Sequence, residues 1–170
     1  MKTIKTILTL FLCLTIYSTS FGQNEELLET LPTTKEEFIT SEKRVLATIN
    51  WLENTPLDQD VDKHKAQYAL LIAWLTNSPT VTIEVNSKIL TFTKKNSDLL
   101  IFFMAGWTKF CLENSYSKDL IKGNLAGVRS AINIYKKGIG LKKDKEMQKL
   151  VELEDKGELE QWITDQLSKK

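Results

Sequence analysis

The chain has 170 residues, with 23 lysines and arginines against 22 aspartates and glutamates, one histidine, and a formal net charge of +1. So even a balance excludes the concentrated basic field that nucleic acid or an anionic membrane surface requires. Three prolines and seven glycines argue against a disordered chain and against a turn-rich β-sandwich, and leave a folded, helix-rich protein as the expectation.

Residues 1–22 read as a secretory signal peptide. Lys2 and Lys5 supply the positive start, and the run Ile7 to Ile16 is apolar except for Thr9 and Thr15. Ser20-Phe21-Gly22 puts small residues three and one positions before a cut between Gly22 and Gln23. The apolar run is about half the roughly 20 residues that a membrane span needs, so a retained anchor is not expected. Cys13 lies inside the run, after Leu12 rather than a small residue, which speaks against lipidation. Cleavage removes two lysines and tips the charge slightly acidic, and it leaves Cys111 as the sole cysteine, so no intramolecular disulfide is available.

The expected organisation is a signal peptide at 1–22, a flexible lead-in at 23–34 and one helical domain at 35–170. The lead-in is polar and acidic around a Leu27-Leu28 pair. Thr34 and Glu37 form a capping-box pattern, after which Phe38, Val45, Ile49 and Leu52 share one helical face as far as about Asn54. A second helix is expected from Val61 to Leu75, near the centre of the fold because Tyr68 to Leu75 is apolar on every side. Trp51-Leu52-Glu53-Asn54-Thr55-Pro56 and Trp74-Leu75-Thr76-Asn77-Ser78-Pro79 repeat one pattern. Its sense is punctuation: Asn ends a helix in the left-handed region, Thr or Ser caps the next, and Pro occupies its first position.

Residues 80–93 carry two patterns. Val81, Ile83 and Val85 alternate as in a strand turning at Asn86-Ser87, while Val81, Val85, Ile89 and Phe92 fit a helical face and Glu84 pairs with Lys88. Helix is preferred, with a small β-hairpin as the alternative. Asn96 or Ser97 should cap the next helix, whose run Leu99 to Trp107 is apolar throughout, marking a buried central element. Ile121, Leu125, Val128, Ile132 and Tyr135 define an amphipathic helix over 118–137 that Gly138 ends. Two shorter helices follow, around Met147, Leu150 and Val151 and around Leu159, Trp162, Ile163 and Leu167, with Gly157 between them. The fold class is therefore all-α, a compact array of about six or seven helices.

No catalytic, cofactor-binding or metal-ligating set assembles from the sequence, and no cofactor is assigned. His64 stands beside Asp62 without a second imidazole or cysteine at ligand spacing, and reads as a surface residue. Cys111, between Phe110 and Leu112, reads as a buried, inert thiol. Gly138-Ile139-Gly140 lacks the third glycine and the preceding strand of a nucleotide loop. Glu42 shares a face with Phe38, Val45 and Ile49, and Arg129 is a natural partner for such an acid. Trp51, Trp74, Trp107 and Trp162 read as core. The lysines of 136–149 and the acids of 152–160 read as solvated faces.

The lysine-led signal ending in Phe21-Gly22-Gln23, together with Trp74-Leu75-x-Asn77-Ser78-Pro79 and Leu99-Leu100-x-Phe102-Phe103-Met104-x-Gly106-Trp107, resembles small exported helical proteins of Bacteroidota. The resemblance implies a place in the periplasm or outside a two-membrane bacterium. Ala105 to Tyr135 also resembles a tetratricopeptide helix pair, although the spacing departs from that 34-residue pattern. The expected function is a non-enzymatic binding or interaction module of the envelope, taking another envelope protein or a small ligand, with no nucleic acid and no membrane span after cleavage. The alternative is a hydrolase using carboxylates or an oxygen-liganded metal.

Overall fold

A computed structural model describes residues 26–169; the expected signal peptide and its cleavage point lie outside them. Six α-helices follow in order, α1 (Lys35–Asn54), α2 (Val61–Asn77), α3 (Leu99–Glu113), α4 (Leu120–Lys137), α5 (Lys145–Asp155) and α6 (Leu159–Ser168), with one 3₁₀ turn, Thr91–Lys94, before α3. Among the described residues there is no strand, and no helix is long and apolar enough to cross a membrane. The all-α array expected from the sequence is the observed one.

The centre of the molecule is α3, whose Leu99, Phe102, Phe103 and Ala105 are fully enclosed. It runs antiparallel to α4, and α1 and α2 pack on α3 while α5 and α6 pack on α4. Three glycines set the closeness of the central pair. A Cβ on Gly106 would stand 2.6 Å from the Ala126 carbonyl oxygen, one on Gly127 would stand 2.7 Å from the Phe103 carbonyl oxygen, and one on Gly123 would enter the Trp107 ring. Small residues there let the helix backbones approach until side chains of one lie directly on the main chain of the other.

Helix α1 begins as its sequence dictates. The Thr34 hydroxyl accepts the Glu37 N–H at 3.2 Å, and the Glu37 carboxylate accepts the N–H groups of Thr33 and Thr34 at 2.7 and 3.2 Å and the Thr33 hydroxyl at 2.9 Å. These bonds, the Thr33 N–H foremost, hold the Glu37 carboxyl below its ordinary pKa, so their contribution is present above that value and is lost as the pH falls through the lowered one. Thr34→Ala should cost about 1 kcal/mol, a fall of about 2–4 °C in the melting temperature of a domain this size. An unchanged melt followed by circular dichroism would contradict the box.

Several expectations are corrected. In the stretch expected as a lead-in, residues 26–34 lack regular structure and most are exposed, but Leu28 is docked, 1% exposed with its N–H donating to the Thr48 hydroxyl at 2.8 Å. Helix α2 is peripheral, since its buried residues are His64, Gln67, Leu71 and Trp74 while Ile72 faces solvent. The paired Asn-(Thr/Ser)-Pro segments do end α1 and α2, but by another route. Asn54 and Asn77 are the last helical residues and donate their amides back to the Asn50 and Ala73 carbonyls, both at 2.8 Å. Thr55 and Ser78 are extended, as residues before proline prefer, and neither proline starts a helix.

Residues 80–93 are neither the preferred helix nor the alternative hairpin. The chain runs from Val81 to Asn86 without bend or turn, turns tightly at 87–89, where the Asn86 carbonyl accepts the N–H groups of Ile89 and Leu90, and enters the 3₁₀ turn. The Ser78 hydroxyl accepts the N–H groups of Thr80 and Val81 at 3.3 and 3.1 Å, as a helix N-cap would, but the chain beyond is extended, and its β-branched residues Val81, Thr82, Ile83 and Val85 disfavour a helix there. The hairpin fails because its second arm is drawn inward, with Ile89, Leu90 and Phe92 all buried. The cap of α3 is also displaced: Asp98 precedes the helix, and Asn96 serves elsewhere.

Candidate functional site

The four polar residues singled out by the sequence do not meet. On α1, Glu42 accepts hydroxyl bonds from Thr80 at 3.1 Å and Tyr116 at 3.0 Å, tying two loops to the helix. On α4, Arg129 pairs with Glu154 of α5 at 2.7 Å, not with Glu42 as expected. Asp62 is fully exposed beside Lys65. Each is thus engaged in holding elements together or is solvated, and none touches another.

His64 is the largest departure from the sequence reading. It is 3% exposed, not on the surface, and lies between the Trp51 ring at 4.7 Å and the Tyr68 ring at 5.6 Å, with Tyr68 in turn edge-on to Phe102 at 6.0 Å. Neither ring nitrogen has a hydrogen-bond partner, and the Tyr68 hydroxyl is also unpartnered. Burial lowers the pKa of His64; the nearby Pro56 carbonyl and the Asp60 charge oppose the shift without reversing it. Burial likewise pushes the Tyr68 phenol up. A neutral imidazole in an aromatic wall, closed to solvent, packs rather than reacts. The signal was legible: His64, Gln67, Leu71 and Trp74 recur at steps of three, four and three.

Cys111 is buried, as expected, with its thiol directed to the Ser117 carbonyl at 3.4 Å and its pKa raised by burial. Trp74 and Trp107 are core, the former donating its N–H to the Ser41 hydroxyl at 2.8 Å; Trp51 and Trp162 are partly covered, and Lys63 sits 4.6 Å above the Trp51 ring. A polar network that the sequence reading missed joins three helices. Glu53 of α1 accepts the Ser130 hydroxyl of α4 at 2.6 Å, and Lys109 of α3 lies 4.0 Å from Glu53 and donates to Asn50 at 2.8 Å. Of these residues Asn50 alone borders one of the concavities, a depression along α1 that also takes in Thr40, Lys43, Arg44 and Glu113.

Among the described residues no three histidine, cysteine, aspartate or glutamate side chains are grouped to hold a metal ion. The largest concavity described, about 760 Å³, lies between the end of α4, the 138–144 loop and α5. Its walls include Tyr135, Leu141 and Val151, with Lys136, Lys142 and Lys143. The loop is firmly held. Asn96 reads Lys142 in both directions, donating to its carbonyl at 3.0 Å and accepting its N–H at 2.8 Å, while the Tyr135 hydroxyl accepts the Asp144 N–H at 2.9 Å. Lysines that the sequence placed on a solvated face thus border a formed groove. No family model matches the chain, and no curated protein or solved structure is significantly similar to it.

Proposed function

We propose that this chain is an exported, non-enzymatic helical module that binds a small ligand or a protein in the envelope of a two-membrane bacterium. The observation that carries the non-enzymatic reading is the separate engagement of the candidate groups: Glu42 by Thr80 and Tyr116, Arg129 by Glu154, His64 by its aromatic wall. Acid–base catalysis needs two such groups converging on one reacting atom. Export is supported by the lysine-led apolar start and the small residues Ser20 and Gly22, and the bacterial setting by the resemblance of that signal and of the Trp74 and Leu99 segments to exported Bacteroidota proteins.

Expression of the full chain in a two-membrane bacterium should yield periplasmic protein whose intact mass corresponds to a chain starting at Gln23. Cytoplasmic protein with an intact N-terminus overturns the export reading. The purified protein should turn over none of a panel of chromogenic ester, phosphate and glycoside substrates. Turnover abolished by Glu42→Gln would instead establish the carboxylate hydrolase.

A further inference from the structure

We propose that the groove between the end of α4 and α5 binds a small organic acid, an apolar body carrying one anionic group; the inference rests on the binding-module reading and names its ligand class. A volume of about 760 Å³ lies within the range of small-molecule sites. Tyr135, Leu141 and Val151 offer apolar surface, and the rim is cationic. Residues 136–149 hold six lysines against two acids, and Glu152 is the one acid among the groove's lining residues.

These lysines are not equivalent. Lys136 is matched by Asp155 at 2.8 Å, and Lys137 donates to the Glu53 carbonyl, so both serve the end of α4, where cations are favoured by the helix dipole. Lys142 and Lys143 lie beyond the helix, are exposed, and pair with no carboxylate among the described residues. Neither of their ammonium groups is used in an ion pair of the fold among those residues. Their backbone, however, is fixed by Asn96, a 5% exposed side chain that spends its amide on Lys142. The chain enters that loop through Gly138 and Gly140, both at φ +72°. Two unmatched cations on a pre-set loop beside apolar surface complement an anion with an apolar tail, and a rigid loop loses little entropy on binding it.

Octanoate, acetate and octylammonium should be titrated separately into the purified protein while backbone amide shifts are followed by nuclear magnetic resonance. Octanoate is expected to shift residues 138–144 and 148–152 saturably, acetate to bind at least about tenfold more weakly for want of apolar contact, and octylammonium to leave those residues unshifted. The double variant Lys142→Glu/Lys143→Glu should weaken octanoate at least about tenfold, whereas Lys65→Glu/Lys118→Glu, the same charge change elsewhere, should leave it unchanged. Equal binding of octylammonium, indifference to the double variant, or shifts confined to other residues overturns the assignment. Tighter binding of hexaglutamate than of octanoate overturns it in favour of an acidic polypeptide. Absence of binding by all probes overturns the groove assignment alone, since the module reading is decided by the export and turnover assays.

Discussion

Gly127→Ala should lower the stability of the protein by about 1–3 kcal/mol, although alanine at an ordinary helical position would raise it by up to about 1 kcal/mol. The new methyl group would stand 2.7 Å from both the Phe103 ring and the Phe103 carbonyl oxygen. The ring can turn, but the carbonyl belongs to α3 and moves only if the helix does. Gly106→Ala should behave alike, because two of its nearest atoms are the carbonyl carbon and oxygen of Ala126. The two sites share the α3–α4 seam, so the double variant should lose less than the sum once the helices have parted. Gly138 and Gly157 provide the contrast. They have φ of +72° and +74° and open space where a Cβ would go, so alanine there meets only backbone strain of about 1–2 kcal/mol. Urea denaturation checks the set. Stabilisation by Gly106→Ala and Gly127→Ala would show that the helices do not approach as described.

Replacing His64 by phenylalanine should stabilise the protein by about 1–2 kcal/mol and remove one source of its acid sensitivity. Two buried ring nitrogens without a well-formed hydrogen bond, the Pro56 carbonyl offering only a poorly aligned one, are a standing cost, and an apolar ring of similar shape has none to satisfy. Crowding by the larger ring would mask the gain, so His64→Leu serves as the second variant. The sign with pH follows from the neighbours. The imidazole faces Trp51 of α1, Tyr68 of its own helix, and the Pro56 carbonyl and Asp60 of the loop between, while Lys63 caps the outer side of Trp51. Burial outweighs the two groups that favour the proton, so the folded pKa lies below the ordinary 6.5. Between those two values the unfolded chain binds a proton that the folded chain refuses, and stability falls as the pH drops below about 6.5. Carboxylates titrate in both proteins, so the difference between wild type and His64→Phe isolates the histidine. Parallel stability profiles from pH 7.5 to 5.0 would sink the argument.

The helices were legible wherever a local rule and a long apolar face agreed. Thr34 and Glu37 start α1 because a capping box is complete within four residues, and Gly138 ends α4 at positive φ because glycine alone adopts it freely. Leu99 to Trp107 had to be central, since an all-round apolar helix must be covered on every side. Residues 80–93 were misread because two periods fitted the same letters. The inward pull of Ile89, Leu90 and Phe92, all buried, decided between them and chose neither. His64 was misread by residue type despite its place on the buried face of α2.

Of the candidate site, composition conveyed the lysines but not the groove. Chain order places Lys142 and Lys143 next to one another, but it says nothing of Asn96, 46 residues earlier, which fixes their loop. Local sequence by itself determined the all-α class, most of the helix ends and the central place of α3, because caps, glycines and apolar periodicity act within a few residues. Tertiary structure alone decided that Glu42 and Arg129 part company, that Leu28 docks on α1, and that a cationic loop faces apolar surface, because each depends on contacts between segments distant along the chain.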